Sequence, residues 1–129
     1  MNAVENANLK QETKELLIRQ PEWAPILISC VQFSRESADG VLDGSAVRNR
    51  AQMFGWSLVP LLTLGILEKA GPARKHGHVG INRMRDVQAV ENALTELGYD
   101  VHAKLPGDFF AQHEKWLHRT AMSAMARSA

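Results

Sequence analysis

A chain of 129 residues, 45% hydrophobic and 22% charged, has the size and composition of one folded domain, which excludes a disordered, fibrous or linker-dominated polypeptide. Its formal net charge of +1 is silent about nucleic acid, and its one cysteine, Cys30, has no intrachain partner for a disulfide. No apolar run approaches the roughly 18 residues of a membrane span, and the start of the chain lacks the cationic-then-apolar order of a signal peptide, so a cytoplasmic protein is expected.

Residues 4–19 are good helix formers that carry Leu9, Leu16 and Leu17. This helix must stop before Pro21, because a residue preceding proline avoids the helical region. Pro21 then suits the first turn of a second helix over 22–35. There Trp23, Ile26, Leu27, Cys30, Val31 and Phe33 cover more than one face, which predicts a largely buried helix. In that setting Cys30 reads as a small buried hydrophobe. Asp39-Gly40 and Asp43-Gly44 are turn signals and leave room only for a very short strand at Val41-Leu42. Ser45 is expected to cap a helix over 45–54, with Gly55 as its left-handed C-terminal cap. Ser57 is expected to cap the next helix, over 58–70. Pro60 is tolerated in its first turn, where amide hydrogens have no intrahelical partner. Gly71-Pro72 closes that helix. Residues 73–76 and 79–84 predict a hairpin turning near His76-Gly77-His78. Asp86 is expected to cap a helix with Val87, Val90, Leu94 and Leu97 on one stripe, ending at Gly98. After a linker over 99–107, a last helix over 108–125 carries Phe109, Phe110, Trp116, Leu117 and Met125.

Helix, short strand, helix, tight turn, helix and two-stranded hairpin is an order that resembles the winged helix-turn-helix superfamily. The segment GSAVRNRAQMFGWS resembles a support helix and its turn. SLVPLLTLGILEKAG resembles a recognition helix ending in Gly65-Ile66-Leu67-Glu68, and PARKHGHVGINRM resembles the wing. The resemblance implies a mainly α fold with a small β-hairpin and additional N- and C-terminal helices. Its parts are an N-terminal accessory helix over 1–20, a winged-helix domain over 21–98, and a C-terminal linker and helix over 99–129 that serves dimerisation. The function it implies is a transcriptional regulator that binds double-stranded DNA.

Charge supports the same segment independently. Between Ser45 and Arg85 lie seven basic residues, Arg48, Arg50, Lys69, Arg74, Lys75, Arg83 and Arg85, against Glu68 alone; the rest of the chain carries eight basic and thirteen acidic residues. Cations gathered this way suit the phosphates of a duplex, whose neutralisation releases condensed counterions. The candidate DNA contacts are Arg48, Arg50, Ser57, Thr63, Arg74, Lys75, His76, His78, Arg83 and Arg85. Arg74, Lys75, His76 and His78 belong to the wing tip, where a narrow minor groove would attract them. Arg48 and Arg50 stand two apart on one helix and point in different directions, which leaves one open to a structural pairing with an acid.

Base-reading side chains are scarce on the supposed recognition helix, which offers only Ser57 and Thr63. Leu58, Leu61 and Ile66 should face the core, leaving Val59, Pro60 and Leu62 partly exposed. The alternative is therefore a winged-helix module that docks a protein partner on those three residues without binding DNA. His76 and His78 lack the further ligands a metal site needs, and His102, His113 and His118 read as surface residues. With no phosphate loop, nucleophile elbow or carboxylate pair, neither catalysis nor a cofactor is expected. The aromatic residues of the last helix need cover, on their own core or across a homodimer. Two-fold symmetry matched to paired half-sites favours the homodimer.

Overall fold

The computed structural model describes residues 3–53, 55–70 and 82–105. In chain order they form α1 (Ala3–Arg19), a single 3-10 turn (Pro21–Trp23), α2 (Ala24–Glu36), β1 (Val41–Leu42), α3 (Gly44–Ala51), α4 (Val59–Thr63), β2 (Leu67–Lys69), β3 (Asn82–Met84) and α5 (Val87–Glu96). The chain is mainly helical, with a small three-stranded antiparallel sheet. No helix among the described residues is long and apolar enough to cross a membrane.

α2 is the centre of the core. Every residue from Trp23 to Val31 is buried, as an all-round apolar helix requires. α3, α5, β1 and β3 pack around it. The Ser29 hydroxyl donates to the Val47 carbonyl at 2.9 Å and so satisfies itself while tying α2 to α3. The Gln32 amide donates to the carbonyls of Val101 and Ala103 at 3.1 and 2.8 Å, which holds the segment after α5 against α2. Cys30 is wholly buried, and loss of solvation pushes its thiol up to about 12, away from the reactive thiolate.

The N-terminal helix docks on its own chain. Leu9, Leu16 and Leu17 are buried, and α1 lies along α5. At the edge of that contact Lys10 and Lys14 hold the Glu96 carboxylate at 2.9 and 3.2 Å. α5 begins as the sequence predicts, with Asp86 accepting from the Ala89 amide at 3.1 Å. Its buried stripe is Ala89, Val90, Ala93 and Leu94, with Val87 and Leu97 half-buried beside it.

In the sheet β3 is the middle strand. Val41 and Leu42 pair with Arg83 and Asn82 on one side, while Leu67, Glu68 and Lys69 pair with Met84, Arg83 and Asn82 on the other. Strand alternation sends Leu42, Leu67, Asn82 and Met84 inward and leaves Glu68 and Arg83 exposed.

Three local expectations shift. The helix expected over 58–70 is five residues long, and Leu67 to Lys69 form a strand instead. Gly65, at φ +78°, ends the helix: its own amide donates to the Leu62 carbonyl and that of Ile66 to the Leu61 carbonyl, at 3.1 and 3.0 Å. This paired closure is the Schellman pattern, with glycine at the left-handed position. α3 closes the same way three residues before Gly55, at Gln52 with φ +57°, where the amides of Gln52 and Met53 reach the Asn49 and Arg48 carbonyls. α3 also starts earlier than expected, capped by Asp43, whose carboxylate accepts from the Ser45 amide at 3.0 Å. The hairpin arms expected from residue 73 therefore begin at Leu67, and β2 connects to β3 through residues 70–81. Of that connection 71–81 lie outside the described residues, as does the helix expected over 108–125.

Candidate nucleic-acid interface

α3 and α4 are joined by a turn that is anchored in the core. Trp56 in this turn meets Trp23 edge to face, with ring centroids 5.0 Å apart and planes at 88°. Leu58 and Leu61 are buried, as is Ile66 just beyond the helix. These three anchors seat α4 and fix which way its other side faces. Pro60 and Thr63 are exposed, Leu62 is half-buried, and Val59 keeps 54% of its surface open.

The two hydroxyls at this helix are only partly free. Ser57 Oγ accepts from the Val59 amide at 3.2 Å, which leaves its own hydrogen available to donate. Thr63 Oγ1 donates to the Val59 carbonyl at 3.1 Å, so it offers outward only a methyl group and lone pairs.

Guanidinium groups bracket the helix. At its start, a β-carbon built on Gly44 would lie 3.3 Å from Leu58 Cδ1 and 3.5 Å from Arg48 Nη1, so Arg48 and the beginning of α4 share the bare face of that glycine. At its end, the same construction on Gly65 would meet Arg85 Nη1 at 3.1 Å. Neither Arg48 nor Arg85 has a carboxylate within ion-pair distance among the described residues.

Arg50 is differently placed. Its two terminal nitrogens donate to the two Glu36 carboxylate oxygens at 2.7 and 3.0 Å, and one of them also donates to Gln32 Oε1 at 3.3 Å. The guanidinium carbon stands 3.7 Å above the centre of the Phe33 ring. Hydrogen bonding from Arg50, with its charge adding to the effect, holds the Glu36 carboxyl below the usual range. Sequence alone gave Arg48 and Arg50 equal standing; the fold gives Arg50 to α2 and leaves Arg48 beside α4.

On the outer face of the sheet, Arg83 stands across from Glu68 on β2 and from Val41 on β1. Asp39 lies close enough to feel its charge. The Asp39 carboxyl is held low first by the Ser37 hydroxyl, then by the Val41 amide, with Arg83 a lesser contributor. Lys69 is exposed at the end of β2, opposite Asn82. Asn82 itself is 1% exposed, and neither carboxamide atom has a hydrogen-bond partner among the described residues. Sequence reading missed it, since nothing local marks a polar residue as the inward position of a three-residue middle strand. Arg74, Lys75, His76 and His78 lie outside the described residues.

Comparison with protein family models, with curated proteins and with solved structures finds no match for this chain.

Proposed function

We propose that this chain is a winged-helix DNA-binding protein acting in transcriptional regulation, with α4 entering the major groove and the β2–β3 hairpin as the wing. The observation that carries the reading is the pair of guanidiniums, Arg48 and Arg85, at the two ends of α4 with no acid partner among the described residues. The element order and the central place of β3 support it, because they are what a short strand, two helices and a wing hairpin require. Arg48, Arg83, Arg85 and, from the stretch between β2 and β3, Arg74, Lys75, His76 and His78 then contact phosphates or the minor groove. Ser57 and Thr63 lie at the base edges. Arg50 contributes by fixing α3 on α2, not by touching DNA. Two copies related by a two-fold axis would address paired half-sites.

The test is fluorescence anisotropy of a labelled duplex of about 25 base pairs across a salt series, where non-specific binding at roughly 10⁻⁴ to 10⁻⁶ M should weaken steeply with salt. Arg48→Ala and Arg85→Ala should each reduce the salt slope by about one. A duplex left free even at low salt overturns the reading. The open Val59 and Pro60 face favours a second reading, a docking site for a protein partner. In that case Val59→Asp abolishes partner binding and the arginine variants leave it intact.

A further inference from the structure

We infer that α4 selects thymine through its C5-methyl group, so that the favoured duplex presents T-rich edges in the major groove; this deepens the DNA-binding reading and rests on it. The argument is an inventory of what the open side of α4 can offer a base. From Trp56 to Leu67 the chain carries no charged residue, and no asparagine or glutamine. Guanine is read by a two-pronged donor from Arg or Lys, and adenine by the donor–acceptor fork of Asn or Gln. α4 has neither. Val59 and Pro60 have no side-chain polar atom, and the Thr63 hydroxyl hydrogen is spent on the Val59 carbonyl, which leaves Thr63 a methyl group and acceptor lone pairs but no donor. At α4 that leaves the single hydroxyls of Ser57 and Thr63, and a single hydroxyl, donating or accepting, does not make the two-point contact that distinguishes the base pairs. Thymine alone among the four bases places a methyl group in the major groove, and an apolar surface rewards that feature and no other.

The charges around the helix fit this occupant. Leu58 to Gly65 spans about 10 Å at the helical rise, close to the major-groove width of about 12 Å. A neutral, apolar centre then meets base edges while Arg48 and Arg85 meet the phosphates on either border.

The test compares one T-rich duplex with the same duplex carrying deoxyuridine for thymidine, which removes the methyl groups and leaves charge and base pairing intact. Affinity should fall about fourfold for each methyl contacted, the equivalent of one buried carbon, and the salt slope should not change. In a G·C duplex, 5-methylcytosine in place of cytosine restores a methyl at the corresponding major-groove position and should raise affinity by a similar factor. Val59→Ala, at an exposed position, should shrink the thymine-to-uracil ratio while circular dichroism and the salt slope stay those of the parent. Equal, salt-dependent binding of the thymidine and deoxyuridine duplexes overturns the inference and leaves the DNA reading standing. Absence of binding to either duplex at low salt overturns both.

Discussion

The two sides of this molecule use the same side chains in opposite ways. Around α1, α2 and α5 four cations hold acids: Lys10 and Lys14 share Glu96, Arg35 takes Glu91, and Arg50, reaching over from α3, takes Glu36 on α2, while Arg19 donates to the Glu15 carbonyl of its own helix. Around α4 and the sheet, Arg48, Lys69, Arg83 and Arg85 hold no carboxylate at ion-pair distance among the described residues. Proximity in the fold, not residue type, decides which group a cation belongs to. A charge count along the chain finds the basic stretch between Ser45 and Arg85 but does not tell Arg50, which holds Glu36, from Arg48, which holds no acid among the described residues.

The contrast can be broken most forcefully from the core. Leu27→Ala, at a fully buried position of α2, should lower unfolding free energy by about 2–5 kcal/mol, read from urea denaturation, with DNA affinity per folded molecule unchanged. Gly65→Ala forces a left-handed backbone on an alanine and sets its β-carbon 3.1 Å from Arg85, so it acts on both sides at once. Stability should drop by about 1–2 kcal/mol, and duplex affinity should fall with it as Arg85 is displaced.

The sharpest comparison pairs Arg50→Ala with Arg85→Ala. The first removes a partly exposed ion pair and a cation–ring contact and should cost about 1 kcal/mol of stability, leaving the salt slope of DNA binding alone. The second should change stability by less than about 0.5 kcal/mol and should flatten the slope. If both variants behave alike, the division between committed and available cations is wrong.

The smallest effect is that of pH. Glu36, Asp39 and Glu96 are all held below their ordinary values, Glu36 and Glu96 chiefly by hydrogen bonds from their cationic partners and Asp39 by the Ser37 hydroxyl. A carboxyl lowered in the folded state contributes stability above its unfolded value and loses that contribution as pH falls through the folded one. The denaturation midpoint should therefore hold near neutrality and decline once pH drops below about 4.3, the ordinary glutamate value. Glu96→Gln should make that decline shallower.

Where local signals agreed with the tertiary outcome, the sequence was readable. Pro21 separates α1 from α2, Asp86 caps α5, and the short strand at Val41–Leu42 lies between its two Asp-Gly turns. The errors fall where the deciding partner is distant. Leu67, Glu68 and Lys69 are good helix formers, and they become a strand because Met84, Arg83 and Asn82 pair with them. Gly65 closes a helix that the apolar pattern carries on past it, and Gln52 closes α3 without the glycine that usually marks such a stop. Of the candidate site, the exposed and buried sides of α4 followed from helical period. Arg50 was not separable from Arg48, because Glu36 and Phe33 reach it from α2.

The seating of α4 has a further corollary. Leu58, Leu61 and Ile66 do the work of attachment, and Val59, Pro60 and Thr63 do none of it. Substitutions at those three outward positions should therefore cost the fold little, and on the DNA-binding proposal they would change what α4 recognises while the scaffold stays constant. If α4 reads the duplex as proposed, a library randomised at Val59 and Thr63 alone would sample new specificities on an unchanged frame.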